Sequence, residues 1–582
     1  MTRGAGPLAS DAGDDRSAAA PGFEATPQLR LCDPEAAAEL GTRLGVGATL
    51  AQILLHRGLG ESERAKDYLD PRLAGLASPD AMRGRGEASD RIVSAIRSGE
   101  RITLYGDYDV DGTTSTALLA GVIEALGGQV TAIAASRFEG YGLSDAALAR
   151  VKDTRPTLLI TCDCGSTDHP RLEDARHAGI ETIVVDHHRV PDEPLPAVAF
   201  LNPHQPGCGF TYKGLCSAGL AFSVAAALRR AMKSELDLRP YLDLVALGTV
   251  ADVMPLDGDN RRLVRAGLTR LGSADARPGI VALRERAGVR PGTRLGGSDI
   301  GFRLAPRLNA AGRLGDASLT LALLRSRSLD EARSIAGQIE LLNEERKELQ
   351  RRITEEAAIM VRARAGEPGG GIVVASDRWH RGVVGIVAAR IVELFDAPSI
   401  VLAIEGETAH GSARTTLGFP VFDAIAACRP LLTRFGGHQA AAGVTLPAAR
   451  IPEFARAFDD ECRRLRASGH GARPDRAVDI VLDGVRFGLP NATELGLLEP
   501  TGHGNREPRF LVESARVEDA ASVGDGHLKL VMRVGDTRLS AFGWDMGGEL
   551  SRIGANVSVI GALRPDTYRG GENVELKIER VV

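Results

Sequence analysis

Apolar and polar positions along the chain change period several times, and each change marks a different kind of element. Residues 28–98 carry helical spacing, with ATLAQILLHRGL and ESERAKDYLDP as two short amphipathic units, the second closed by Pro71. From residue 101 the rhythm alternates. RITLY predicts a short apolar strand, and TTSTALLAGVIEAL predicts a helix opened by Thr113 or Thr114. QVTAIAA, TLLIT and ETIVV predict further strands, separated by the helical stretches SDAALARVKD and TDHPRLEDARHAG. This βαβ order implies a parallel, doubly wound sheet. Residues 217–250 return to helix. Between about 328 and 365, Leu and Ile recur at helical spacing among mixed charges, which predicts a long connecting helix broken by EPGGG at 367–371. GIVVAS and VVGIVAARIVELF then open a second α/β segment. Beyond about 475 the pattern turns to short strands with turns between them, as in a small β-barrel or sandwich.

The expected fold is therefore α/β. A parallel-sheet domain (99–327) is joined by a long helix (328–366) to a second α/β domain (367–475), with a C-terminal β-barrel (476–582). A helical region (28–98) precedes them. A chain of 582 residues exceeds one hydrophobic core, so several domains are required. Residues 1–27 are rich in Ala, Gly, Asp and Pro and read as a disordered tail without a signal-peptide apolar core. No apolar run is long enough to span a bilayer. The seven cysteines are scattered. Cys162 and Cys164 form C-x-C, but no second pair stands at zinc-ligand spacing, so reduced thiols in a cytoplasmic protein are expected. The net charge of -5 does not advertise a nucleic-acid binder, although a local basic groove can sit on an acidic body. The basic residues are nearly all Arg. Arg suits a planar grip on phosphate, but a GC-rich genome accounts for most of the bias.

Chemistry concentrates just after the first-domain strands. RITLY is followed by Gly106-Asp107-Tyr108-Asp109-Val110-Asp111-Gly112, TLLIT by Cys162-Asp163-Cys164-Gly165, and ETIVV by Asp186-His187-His188. In a parallel sheet these are carboxyl ends of strands, where ligands bind at the switch in strand order. Asp252 ends a further apolar run, LDLVALGTVADVMPL. Singly, D-x-D-G is often a turn, an Asp after a strand is often a helix cap, and His-His is often packing. Together they crowd carboxylates that would repel one another unless cations neutralised them. Carboxylates with one or two imidazoles suit Mn²⁺ or Mg²⁺ better than zinc. Two such ions close together form a centre that activates water for phosphodiester cleavage.

D-Y-D-V-D-G, the strand-end Asp163, the D-H-H triplet and Asp252 resemble the motifs of the DHH phosphoesterase superfamily. The resemblance implies that Asp109, Asp111, Asp163, His187 and Asp252 hold two divalent ions, Mn or Mg, with Asp163 bridging them. Asp107 and His188 would stand close by in catalytic roles, His188 facing the scissile phosphate. Where some members carry a His, this chain has Tyr105, and Asp107 is expected to compensate. Arg137-Phe138-Glu139-Gly140-Tyr141-Gly142-Leu143 and Ala305-Pro306-Arg307-Leu308-Asn309-Ala310-Ala311-Gly312-Arg313 resemble signatures of the RecJ family. Trp379-His380-Arg381-Gly382, Gly411-Ser412-Ala413-Arg414 and Phe435-Gly436-Gly437-His438 resemble the DHH-associated domain. Leu498 to Pro508 resemble the start of an OB-fold, which suits single-stranded nucleic acid.

The resemblance implies a 5′→3′ exonuclease that hydrolyses single-stranded DNA to mononucleotides in DNA repair and recombination. Ser412, Arg414 and Arg137 would hold the terminal 5′-phosphate, and Arg307 would grip the backbone nearer the metals. Asn309, His380, Gly436, Gly437 and His438 would line the DNA path, with Phe138, Tyr141 and Trp379 available to stack on bases. Partners would be single-stranded DNA, a RecQ-type helicase and a single-strand-binding protein, with the enzyme a monomer. One rival is another DHH phosphodiesterase acting on short or cyclic nucleotides, but these are shorter and lack residues 476–582. A second rival is a non-catalytic Cdc45-like strand binder, but such proteins have lost metal ligands that are intact here.

Overall fold

The first sheet contains β1 (Arg101–Gly106), β2 (Gln129–Ala134), β3 (Leu158–Cys162), β4 (Glu181–Val185) and β5 (Ala199–Leu201), all parallel, in the order β2-β1-β3-β4-β5. This is a computed structural model, and it describes residues 28–363, 370–471, 477–524, 526–566 and 573–582. The expected tail, 1–27, and most of the helix-breaking EPGGG lie outside the described residues. Every residue of β3 is buried, as a strand covered on both faces requires, which explains its unbroken apolar run. The connections leave β1 and β3 in opposite directions, so the switch point lies between them.

The helix after β1 starts earlier than its apolar spacing suggests. It runs Val110–Ala125, and Asp109 rather than Thr113 or Thr114 is the N-cap, accepting the Gly112 amide at 3.0 Å. The turn-like D-V-D-G is thus the first helical turn, because the Asp109 carboxylate satisfies an end-of-helix N–H. Gly112 is required by close approach: a Cβ there would lie 2.5 Å from the Asp107 carbonyl oxygen.

The second sheet contains β6 (Ile372–Ser376), β7 (Ser399–Glu405), β8 (Thr408–Arg414), β9 (Arg434–His438) and β10 (Ala441–Pro447), in the order β6-β7-β8-β10-β9. Only β6 and β7 pair in parallel. The 34-residue helix Leu329–Arg362 links the two lobes. Its first half buries Ala332, Ala336 and Ile339 in the core of the first lobe, and its second half buries Ile353, Ala357 and Val361 against the second.

The last sheet contains β11 (Ile480–Leu482), β12 (Phe510–Val523), β13 (His527–Val534), β14 (Thr537–Gly543), β15 (Asn556–Pro565) and β16 (Val574–Val581). Pairing of β12 with β15 closes β12-β13-β14-β16-β15 into a five-stranded barrel, with β11 added at one side. Helices Pro34–Leu44 and Ala48–His56 share the barrel's core: Leu40, Leu50 and Leu54 belong to one cluster with Leu498, Phe510 and Leu576. The two ends of the described chain are therefore one packed unit.

Candidate metal centre and nucleic-acid interface

Three strand ends and one helix end converge at the switch point of the first sheet. Asp107 follows β1, Asp163 follows β3, and Asp186, His187 and His188 follow β4. Asp252 caps the helix Leu242–Ala251. Asp111, in the first turn after β1, is turned inward and accepts the Ser217 and Ala218 amides at 2.7 and 2.9 Å, the N-terminus of the helix Ser217–Ala231. The same Ser217 donates its hydroxyl to Asp163 Oδ1 at 3.0 Å. Asp163 itself has φ 65°, a left-handed conformation that aims its side chain into the cluster.

His187 Nε2 lies 3.3 Å from Asp163, 3.4 Å from Asp252 and 3.9 Å from Asp111. Groups Asp163/His187/His188, Asp111/His187/Asp252 and Asp107/Asp109/Asp163 each bring their donor atoms within 4.8 Å of one another. Two buried atoms here, Asp107 Oδ1 and His187 Nε2, have no hydrogen-bond partner. Buried polar atoms without partners, in carboxylate and imidazole groups of this spacing, suit divalent cations, so the donor set fits two such ions. The electrostatics agree. Burial first, then the neighbouring carboxylates, push Asp163, Asp107 and Asp111 up, and Asp252 up to about 8.

Asp186 is not a donor in these groups. Its Oδ1 accepts the His187 and His188 amides at 2.8 and 3.2 Å and stands 2.7 Å from His188 Nδ1. Burial opposes a charge on His188, but Asp186 and the other acids outweigh it and push its pKa up to about 9. The His188 ring stacks at 6.4 Å on His438, which comes from β9 of the other lobe. Tyr141 packs edge-on to it at 5.5 Å and donates to the Asp163 carbonyl. Tyr105 turns away into the core and reaches the Gly142 carbonyl, so Asp107 stands in the cluster without it.

Beside the acids lies a group of arginines. Arg137 stacks over Tyr108 at 4.0 Å and donates to the Gly312 carbonyl. Arg313 donates to the Gly382 carbonyl, and Arg414 to that of Ala413. Among the described residues none of the three has an ion pair with a carboxylate. Burial, then Arg137, Arg346 and Arg414, lower Arg313 to about 9, and burial and Arg137 lower Arg414. Such mutual repulsion calls for an anion. Ser412 and Arg414 are alternate residues on one face of β8. A Cβ on Gly385 would lie 3.2 Å from Ser412 Oγ and from Arg414, so that glycine lets the helix Val384–Phe395 approach them.

Other expected contacts lie elsewhere. Arg307 pairs with Glu340 at 2.6 Å and also donates to the Arg303 carbonyl, so it does not present a free guanidinium to a DNA backbone. Trp379 is 4% exposed, its indole N–H on Glu356, so it offers no stacking face. Phe138 and Tyr141 are exposed. His380 packs on Phe138 at 6.2 Å, and Arg381 bridges the lobes by donating to the Phe138 carbonyl. Gly437, at φ 140°, is held by close contact with Ala441 and Ala442, whereas Gly436 faces open space. Asn309 lies on the helix Ala305–Leu314, one turn before Arg313. Arg313 and Asp186 sit in quoted motifs, but their roles emerge only from which neighbours surround them.

An acid and imidazole cluster at a parallel-sheet edge, with Arg137 and Arg313 of the first lobe and Arg414 of the second beside it, defines a DHH-type phosphoesterase. Residues 101–249 match the DHH family, N-terminal domain, 369–464 the DHHA1 domain and 478–580 the RecJ OB domain. The chain belongs to the RecJ family. It is 35% identical over 568 residues to the single-stranded-DNA-specific exonuclease RecJ of Bacillus subtilis, covering 95% of this chain and 70% of that one. It is likewise 35% identical to the RecJ of Thermus thermophilus, covering 91% and 75%. The crystal structure of Thermus thermophilus RecJ in complex with Mn²⁺ superposes with TM-score 0.78 at 31% identity, covering 95% of this chain and 78% of that one. The Mg²⁺ complex gives 0.73 at 30% identity, covering 95% and 77%.

Proposed function

We propose that the chain is a metal-dependent exonuclease that hydrolyses single-stranded DNA from its 5′ end to mononucleotides, in DNA repair and recombination. The observation that carries the reading is a carboxylate–imidazole centre with Arg137, Arg313 and Arg414 beside it, none of which has a carboxylate partner among the described residues. Asp109, Asp111, Asp163, His187 and Asp252 would hold two divalent ions, Mn or Mg, which when bound supply Lewis acidity and an activated water. Asp107 completes the carboxylate wall around them. His188, kept cationic by Asp186, stabilises charge building on the scissile phosphate. Arg137 and Arg414, with Ser412, hold the terminal phosphate, and Arg313 adds its charge behind them. A strand presenting its other end lacks that phosphate, which gives the polarity.

His380 and His438 line the path between the lobes, and Phe138 and Tyr141 offer stacking faces. A path between two lobes joined by one helix suits an unpaired strand. A RecQ-type helicase, which would supply the unpaired strand, and a single-strand-binding protein, which would coat it, are the companions we propose. One chain supplies both lobes of the centre, which supports a monomer. All seven cysteines are free, which supports the cytoplasm, and no helix among the described residues is long and apolar enough to cross a membrane.

The test uses single-stranded DNA labelled at either end, with and without 5′-phosphate, in Mn²⁺, Mg²⁺ and EDTA. Early release of the 5′ label as a mononucleotide, absent in EDTA, is expected. Early loss of the 3′ label would reverse the polarity.

A further inference from the structure

Where the N-terminal helices, the first lobe and the barrel meet, they line an open cleft of about 750 Å³. Its lining contains no residue of the acid cluster and none of Arg137, Arg313, Ser412 or Arg414. The size falls within the range of small-molecule sites, about 300–1,000 Å³.

Its charge is unbalanced. Arg57 donates to the Tyr68 hydroxyl and to the Arg506 carbonyl, and makes no ion pair with a carboxylate among the described residues. The Arg261 guanidinium lies 3.7 Å from the centre of the Tyr68 ring, and that of Arg57, bonded to the hydroxyl, lies 5.5 Å from it. Arg261 spends its donors on the carbonyls of Tyr68, Leu497, Leu498 and Pro500. Arg64 and Arg506 are exposed at the rim, also without an ion pair among the described residues. The acids in the wall are already engaged. Asp67 pairs with Arg262 at 2.5 Å, Asp257 accepts the Tyr212 hydroxyl at 2.8 Å, and Asp479 accepts the Arg509 amide at 2.8 Å and lies 3.4 Å from Arg30. Glu507 is not free either. His56 adds a buried Nδ1 with no hydrogen-bond partner. Leu59 and Pro71, both half-buried, supply apolar surface in the same wall. A bare phosphate would leave that surface unused, and a purely apolar ligand would leave the guanidiniums unpaired.

We propose that this cleft binds a nucleoside phosphate, with the phosphate on Arg57, Arg64 and Arg506 and the base against Leu59 and Pro71. Titration calorimetry of the full chain in EDTA, where no cleavage runs, tests it with ADP, adenosine and inorganic pyrophosphate as probes. ADP should bind one per chain, about tenfold or more tighter than either fragment. Hydrogen bonds to a charged group contribute about 1.5–3 kcal/mol each, which is a tenfold loss or more. Arg64→Glu and Arg506→Glu should therefore each weaken ADP by at least that factor, with the Tm and metal-dependent cleavage of short oligonucleotides unchanged. Arg414→Ala should leave ADP binding as it is. Loss with Arg414→Ala alone would put the nucleotide in the DNA path and overturn the proposal. Pyrophosphate binding as tightly as ADP would reduce the cleft to an anion site, and no binding would empty it. None of these outcomes bears on cleavage of DNA, which is assayed separately.

Discussion

Asp163 holds a backbone conformation, φ 65°, that most side chains avoid and that Asn and Asp tolerate. Strain of this kind persists where surroundings demand it, and here it puts the carboxylate between Asp111, Ser217 and His187. Asp163→Asn keeps the left-handed turn and removes one charge from a crowd of acids. Cleavage should fall below detection, while the Tm in EDTA stays level or rises, because repulsion is relieved. Calorimetry with an end-label assay checks both, and full activity would sink the ligand set. Asp186→Asn should behave differently. It leaves every donor of the centre in place but weakens the hold on His188, so a loss of about 10–100-fold in kcat is expected, with metal still bound. Isothermal titration with Mn²⁺ beside the rate measurement separates the two. These acids were readable from sequence because type and strand-end position both point to a cation site. The partners of single side chains were not. Nothing local says that Arg307 meets Glu340, or that Trp379 is buried on Glu356, since both acids lie on a helix distant in sequence.

At the scale of elements, the strands were legible because their apolar runs are short and bounded by turn residues. The start of the helix after β1 was not, because D-V-D-G serves equally as a turn and as a capped first turn, and only the Asp109–Gly112 bond decides. The long helix was clear from its spacing, but its job depends on which half is buried in which lobe. Between those halves Lys347 is exposed and pairs only with Glu344 at 2.8 Å among the described residues. Lys347→Pro would remove a helical hydrogen bond and kink the helix, costing about 3 kcal/mol. Each lobe keeps its own core, so both should stay folded by circular dichroism. The register between Asp163 and Arg414 should be lost, and kcat/KM on 5′-phosphorylated strands should drop far more than Mn²⁺ affinity. Unchanged turnover would mean that the helix does not set the distance between the two sites. Arg414→Ala isolates the far end of that distance. It should cost about tenfold or more on a 5′-phosphorylated strand and much less on a 5′-hydroxyl strand, which never made the contact. Equal loss on both would assign Arg414 to general backbone binding.

At the scale of the molecule, the shared core of the N-terminal helices and the barrel changes what a truncation means. From sequence, residues 28–98 and 476–582 read as separate pieces, because periodicity is local and cannot report that Leu50 packs in one cluster with Phe510. Cutting the chain near residue 475 would strip the cover from Leu40, Leu50 and Leu54, each no more than 1% exposed. Burying a Leu side chain contributes about 1.5–3 kcal/mol, so three uncovered together outweigh what two short helices can supply alone. That truncation should aggregate or expose residues 28–70 to protease. Deleting both pieces, to leave 72–475, removes the whole unit and its mate together. The shorter chain retains both lobes and the long helix, and should still cleave short oligonucleotides in a metal-dependent way. It should bind long single strands more weakly, with a shallower dependence of affinity on salt, because phosphate contacts made by the barrel are gone. Limited proteolysis of the first truncation and salt-series binding of the second measure the two halves of the argument. If the chain cut at 475 keeps its N-terminal helices protected, the shared core is not what holds them. If the 72–475 chain binds long strands with an unchanged salt slope, the barrel contributes stability to the helices and nothing to the DNA.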